Sequence, residues 1–489
     1  MKDMKHIKLL MAVLLASVSV RAEVKLPKFF ADGMVLQQQT ECKLWGTAEA
    51  GKSVKVKTSW DKKAYTAKAD EMGCFSLHVT TPQAGGPYEI TFNDGKETRL
   101  TDVLIGEVWV CSGQSNMEMQ MKGFKGQPVE GATEELMQCN DPQLRLFTVK
   151  RNASLTPVDD VTGQWNEATP ASVRDFSATA YYFGKSLRKQ LGVPVGLIAT
   201  SWGGSACEAW MKPEWLQNFE KVVIPSTKED VKKRQQRCPT ALYNGQLHPL
   251  IGYGMRGVIW YQGEDNIPRY DFYAPLFARM IEGWRSEWKQ GDFPFYYCQI
   301  APYDYSLISW EQYNSAYLRE QQMKAEKMVP NCRMAVLMDA GLEYGIHPRK
   351  KREAGERLAL LALSNTYEVK GLPDFAVYSN VEFQGDTAVV AFDRSKEWVY
   401  FEHGPSSPNF EIAGEDRVFH PAKTWISRNR VYVKSDEVKH PVAVRYAFKD
   451  WVEGDLMHDG LPVSSFRTDE WENLPLTPSE QRGDYNNPQ

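Results

Sequence analysis

The chain has no cysteine pair spaced C-x-x-C, no block of basic residues, no internal repeat and no low-complexity tract. Its eight cysteines (42, 74, 111, 139, 207, 238, 298 and 332) are scattered, which argues against a zinc site or a thioredoxin-like motif. Several fall within apolar, strand-like runs, where a buried free thiol is the plain expectation. With no basic block and a net charge of −4, nothing points to nucleic acid or an anionic membrane surface. The one N-terminal apolar run, Leu9–Val20, is too short to span a bilayer. Lys2, Lys5 and Lys8 precede it and Val20-Arg21-Ala22 offers a small-residue cleavage site. Residues 1–22 therefore read as a signal peptide, and the mature chain is expected to be exported, periplasmic or secreted. No cysteine stands directly after the cleavage site, where Glu23 follows, which argues against a lipid anchor. Nothing in the sequence specifies an oligomeric state.

What is present is globular: 42% hydrophobic and 25% charged residues over 489 positions, enough for two to four domains at about 100–200 residues each. Fifteen tryptophans and 22 tyrosines suit sugar platforms, although core packing is the simpler use. Residues 23–102 carry short alternating runs (Ser53–Thr58, Phe75–Thr80, Tyr88–Phe92) punctuated by Gly, Pro, Asp and Asn, the texture of a small β sandwich. From 103 to 366 strand-like runs recur at Val103–Cys111, Val195–Thr200, Gly257–Tyr261, Phe295–Ile300 and Met334–Met338. Amphipathic helices lie between them, Phe176–Leu191 and Tyr273–Trp288 the clearest, while the charged stretch 211–240 reads as a surface excursion. Strands separated by helices predict a parallel sheet covered on both faces. Residues 367–473 return to β texture, with strands expected at Val381–Phe392, Trp398–Phe401, Arg430–Lys434 and Val442–Phe448. Residues 474–489 read as a loose polar tail.

In a parallel α/β sheet, ligands bind at the carboxyl ends of the strands. Those ends here carry Gly113-Gln114-Ser115-Asn116, then Ser201-Trp202-Gly203-Gly204, then Gln262-Gly263-Glu264-Asp265-Asn266, and finally Asp339 with Ile346-His347-Pro348. A serine, a glycine turn, amides, carboxylates and a histidine on one edge are the parts for acyl transfer. Ser115, at a strand-to-helix turn, is the candidate nucleophile, its plain alternative being a helix cap. His347 is the candidate base, preferred over His248 because His248 precedes its strand. Gly203 and Gly204 are candidate oxyanion donors, or simply a tight turn, and the amides of Gln262 and Asn266 are further candidates. Glu264, Asp265 and Asp339 are candidates to orient the imidazole, and Gln114 and Asn116 to brace the turn. The Ser115 context lacks the second glycine of a G-x-S-x-G elbow, which sets the chain apart from the usual α/β-hydrolases.

The segments GEVWVCSGQSNM (106–117), ATSWGGSACEAW (199–210), VIWYQGEDN (258–266) and IHPRKKREAGERLA (346–359) resemble the sialate O-acetylesterase-like branch of the SGNH hydrolases. DGMVLQ (32–37), GGPYEI (85–90), LYNGQLHPL (242–250), QIAPY (299–303) and GLPVSSFRTD (460–469) extend the similarity over nearly the whole mature chain. The resemblance implies a three-layer α/β/α domain flanked by N- and C-terminal β domains, and removal of O-acetyl groups from sugars without metal or cofactor. It implies Ser115 as nucleophile, His347 as base, Gly204 or its neighbour Gly203 as the oxyanion glycine, and Gln262-Gly263-Glu264 as the third block. The family's Asp two or three residues before the histidine is missing, since Tyr344 and Gly345 stand there. The acid then falls to Glu264, ranked first, or Asp339, or is absent. O-acetylated sialic acid is the expected substrate, with acetylated xylan or pectin fragments as the alternative. A binding protein with decayed chemistry, or a glycoside hydrolase using Glu264 and Asp339 about 5–9.5 Å apart, are the readings from other classes. The second leaves Ser115 idle.

Overall fold

The computed structural model describes residues 23–308, 314–396 and 398–471; the expected signal peptide and polar tail lie outside the described residues. The fold is mixed α/β. Its centre is a sheet of strands β1 (Glu97–Gly113), β2 (Asp141–Thr148), β3 (Trp165–Ala168), β4 (Val195–Ser201), β5 (Gly257–Tyr261), β6 (Phe295–Cys298) and β7 (Cys332–Ala335). Their spatial order is β7-β6-β5-β1-β4-β2-β3. All neighbours are parallel except the edge pair β2–β3.

Helices α1 (Ser115–Glu118), α2 (Ala178–Leu191), α3 (Tyr273–Trp288), α4 (Ser315–Met328) and α5 (Lys351–Asn365) follow the strands. The two faces can be told apart by the period-2 alternation of side chains. Trp109 pairs with Gly257 while Trp260 pairs with Ser112, so the two tryptophans point to opposite faces. Phe183 of α2 packs edge-on to Trp109 at 5.0 Å, whereas Trp284 and Phe277 of α3 pack on Trp260. α5 joins α2 on the first face, where Gly355 lies so close to α2 that a Cβ would sit 2.5 Å from Thr179 O and 2.6 Å from the Tyr182 Cβ. α3 and α4 lie together on the second. The layers are therefore helix, sheet, helix, as expected.

Several expected bounds move, each for a local reason. α2 starts at Ala178 because Ser177 caps it, the Ser177 hydroxyl accepting the Ala180 N–H. β6 ends at Cys298 because the Gln322 side chain takes the Ile300 N–H. β7 closes at Ala335, and Met338 O instead accepts Gly454 N–H from the C-terminal region. The single strand expected at Val381–Phe392 is a hairpin, Val377–Gln384 with Thr387–Asp393, turned by Gly385-Asp386 with Gly385 at φ +62°.

The change of texture at 102/103 falls inside β1. The first half of this 17-residue strand pairs with Gly85–Asn93, its middle with Val35–Gln37, and its last third with β4 and β5. Four of the N-terminal strands and the central sheet thus form one eleven-stranded sheet, while Glu41–Thr47 and Cys74–Thr80 pair separately. After α5 come antiparallel sheets built on Phe410–Ala413 with Ala443–Tyr446, and on the hairpin with Arg430–Lys434 and Lys423–Ser427. They dock through Arg319, buried in α4, which donates to Ser465 Oγ (3.1 Å) and Lys449 O. Among the described residues no helix is long and apolar enough to cross a membrane.

Candidate functional site

β1, β4 and β5 end level with one another, Gly113 lying in register with both Ser201 and Tyr261. A Cβ on Gly113 would stand 2.2 Å from Tyr261 O, and its φ of +138° suits only glycine. This close approach brings the next residues to the middle of the sheet edge. Gln114 is the cap residue of α1 and Ser115 its first residue, with no side-chain capping bond. The serine is half-buried, and a cap's hydrogen bond does not occupy its hydroxyl.

The turn is braced from below. Gln114 Oε1 accepts the N–H groups of Gly263 (3.1 Å) and Asp265 (3.4 Å). Asn116, fully buried, donates to Glu264 Oε1 (2.6 Å) and Ile346 O (3.1 Å) and accepts from Lys351 Nζ (2.5 Å). The residue after Ser115 is thereby bonded to the residue before His347, although 230 positions separate them.

His347 is half-buried. Its Nδ1 lies 2.5 Å from Gln127 Oε1, and Phe124 packs edge-on to the ring at 5.0 Å. Burial, reinforced by the Lys351 ammonium, pushes the imidazole down to about 4. Burial also pushes Lys351 down to about 7, against the pull of Glu264, and raises the Glu264 carboxyl.

Several expected donors and carboxylates are otherwise engaged. Gln262 is fully buried, its amide donating to Ser205 O (3.1 Å) and Asn266 Oδ1 (2.7 Å) and accepting from Tyr273 (2.9 Å). Asn266 donates to both oxygens of buried Glu208 and accepts the Cys207 N–H. Both expected oxyanion amides are thus engaged in fastening the loops behind the turn. The Gly203 N–H is donated to Glu118 Oε2 (2.7 Å), so within the glycine pair the N–H of Gly204 is the one left to a ligand. Asp339 is gripped by Arg357 through both oxygens (2.7 and 2.6 Å), Asp265 by Arg237 (2.7 Å), and Glu264 by Asn116. The hydrogen-bonding partner of His347 is an amide, that of Gln127, while Glu264 and Asp339, the two candidates for the acid, are bonded elsewhere.

Three contributors escaped the sequence reading. Gln127 sits in a glycine turn that follows no strand, outside the strand-end rule. Glu118 lies three residues after Ser115, where a helical turn returns it to the same side, and it clamps Arg151 with both oxygens at 2.6 Å. Lys351 is hidden in a run of four basic residues, Arg349–Arg352; its burial on the inner side of α5 is the only cue that separates it.

Beside the glycine turn, Trp202 stacks under Arg151 at 5.4 Å and opens onto a groove of about 500 Å³ that also carries Lys228 and Lys232 and no acidic lining residue. The helix Lys228–Arg234 and the following turn form its far wall; Gln236 and Arg237 approach Gly204 to 3.5 and 3.9 Å of where a Cβ would stand. The later part of the charged excursion expected at 211–240 is thus a wall of this groove. Among the described residues no cluster of His, Cys, Asp and Glu is arranged to hold a metal ion.

Residues 105–363 match the model of a family described as carbohydrate esterase, sialic acid-specific acetylesterase. The sialate O-acetylesterase of Homo sapiens is 30% identical over 400 residues, covering 74% of each chain. That of Rattus norvegicus is 29% identical over 428 residues, 74% of this chain and 78% of the relative. A carbohydrate acetylesterase from Xanthomonas citri, of known structure, superposes with a TM-score of 0.84 at 37% identity, over 92% of this chain and all of that one.

Proposed function

Because this chain belongs to the sialic acid-specific acetylesterase family of carbohydrate esterases, and so is a carboxylic ester hydrolase, we propose that it removes O-acetyl groups from an acetylated sugar by acyl transfer through Ser115, with His347 as base. The observation that carries this reading is the bond from Asn116 to Ile346 O, which fastens the serine turn to the histidine loop at one edge of the sheet.

In the first half-reaction His347 takes the Ser115 proton as Oγ attacks the acetyl carbonyl. The N–H of Gly204 and that of Ser115 itself receive the oxyanion; one such donor contributes about a hundred- to a thousandfold in rate. The imidazolium then returns the proton to the departing sugar hydroxyl, leaving an acetyl-serine. Water, deprotonated by His347, attacks that ester, and acetate leaves as Ser115 is reprotonated. Glu264 serves as a brace for Asn116 in this scheme.

The groove supports an acidic sugar, as in O-acetylated sialic acid. Trp202 offers a ring face beside the glycine turn, and Lys228 and Lys232 favour a carboxylate. Export through residues 1–22 is part of the proposal. The test compares acetate release from O-acetylated sialic acid and from acetylated xylo-oligosaccharides, wild type against Ser115→Ala, using secreted or periplasmic protein whose sequence is expected to begin at Glu23. Serine-dependent release from the sialic acid alone is expected. Release from the neutral oligosaccharide alone would overturn the substrate assignment, and undiminished release by Ser115→Ala would overturn the mechanism.

A further inference from the structure

We propose that Gln127 takes the place of the missing triad acid: its side-chain carbonyl holds His347 by Nδ1 and thereby fixes the tautomer in which Nε2 is free to accept a proton. The inference rests on His347 being the base. An amide oxygen carries no hydrogen, so at 2.5 Å from Gln127 Oε1 the proton between them belongs to Nδ1 and the lone pair to Nε2.

The loop that presents Gln127 is built for rigidity. Phe124 and Gln127 exchange backbone hydrogen bonds in both directions, each 3.0 Å, closing a tight turn over Lys125-Gly126. Gly123 and Gly126 hold φ of +77° and +74°, and a Cβ on Gly123 would lie 2.3 Å from Gln127 O. The same turn sets the Phe124 edge against the imidazole, so one short loop fixes the ring on two sides. Glu264 and Asp339, the carboxylates nearest the strand ends, are held by Asn116 and Arg357 and do not compete for Nδ1.

A neutral acceptor orients the ring as a carboxylate does but adds no ion pair when the imidazolium forms. The charged groups on the surrounding elements do not supply one either. Lys351 on α5 is a cation that opposes protonation, Lys125 in the loop is exposed, and Glu118 on α1 is paired with Arg151. His347 is then a weak base that stays unprotonated well below neutral pH, and the acid limb of the activity profile lies far below the 6.5 of an unperturbed histidine.

The experiment measures kcat and KM for 4-nitrophenyl acetate from pH 4 to pH 9 with wild type, Ser115→Ala, Gln127→Leu and Gln127→Glu. Gln127→Leu removes the acceptor, and kcat is expected to fall at least about 100-fold with KM nearly unchanged. Gln127→Glu restores an acceptor of the same shape with a charge; it is expected to keep activity and to move the acid limb of kcat/KM up by about one to two pH units. An unmoved limb in Gln127→Glu, or a kcat in Gln127→Leu within threefold of wild type, would overturn the proposal. If Gln127→Leu fails to fold, the limb in Gln127→Glu decides alone. Ser115→Ala separates the two levels. If it is inactive while Gln127→Leu is fully active, only the role of Gln127 falls; if it retains activity, the serine mechanism falls and the proposal with it.

Discussion

At the scale of single residues, the buried Lys351 links the chemistry to the stability of the fold. Its ammonium has left water for a site between Asn116, Glu264 and the face of Tyr261, 5.6 Å away. Its value is about 7 in the fold against 10.5 ordinarily. Between these limits the unfolded chain binds the extra proton, so this group makes stability rise with pH from 7 to 10.5 and imposes its full penalty below 7. In Lys351→Met that rise is expected to vanish, as denaturant midpoints at pH 7 and pH 10 measure. The acid limb of activity is expected to move upward, because the cation opposing protonation of His347 is gone. The place of Ser115 just past a strand end was legible in the sequence because hydrophobic patterning reveals where β1 stops, whereas His347 lies well beyond the end of β7 and is brought to that edge by its loop. The duties of Gln262 and Asn266 were not legible. Their polarity is plain, but their partners Ser205, Glu208 and Tyr273 come from separate segments, one of them the start of α3, whose convergence no local pattern records. Gln127 was invisible for the same reason, lying 220 residues from the ring it touches.

Elements were read more surely than side-chain directions. α3 and β5 occur at the expected bounds because an unbroken amphipathic period and an unbroken apolar run leave no competing choice. Where the reading slipped, a side chain had displaced a backbone partner, as Gln322 does at the end of β6. The junction of β1 with α1 depends on Gly113 in the same local way. Gly113→Ala drives a methyl into Tyr261 O and demands a positive φ of a residue with a Cβ. A loss on the order of 3 kcal/mol or more in stability is expected, with activity lost in step as the Ser115 turn is pushed off the edge. Urea melts monitored by tryptophan fluorescence test it, and an unshifted midpoint would contradict the close packing described.

For the whole molecule, the cysteines report how completely the sheets and helices close. All eight are free thiols and seven are buried, Cys74 alone being exposed. Burial pushes Cys42 up to about 12 and Cys238 up to about 11, which keeps them protonated and inert at neutral pH. Titration with a thiol reagent is expected to find one fast-reacting group in the folded protein and eight in denaturant; two or more fast groups would mean an open core. The three regions seen as textures in the sequence are present as β, α/β and β segments, yet the first boundary does not divide the structure, because β1 runs through 102, pairing with N-terminal strands along its first part and with central strands along its last third. That continuity bears on how the chain can be divided as much as on its form. A segment that ends in the middle of β1 cannot be exchanged between relatives as a cassette: recombination at the compositional seam would join half a strand to a foreign register and misplace the turn that carries Ser115. The N-terminal strands and the turn that carries Ser115 are therefore held in one register by a single strand.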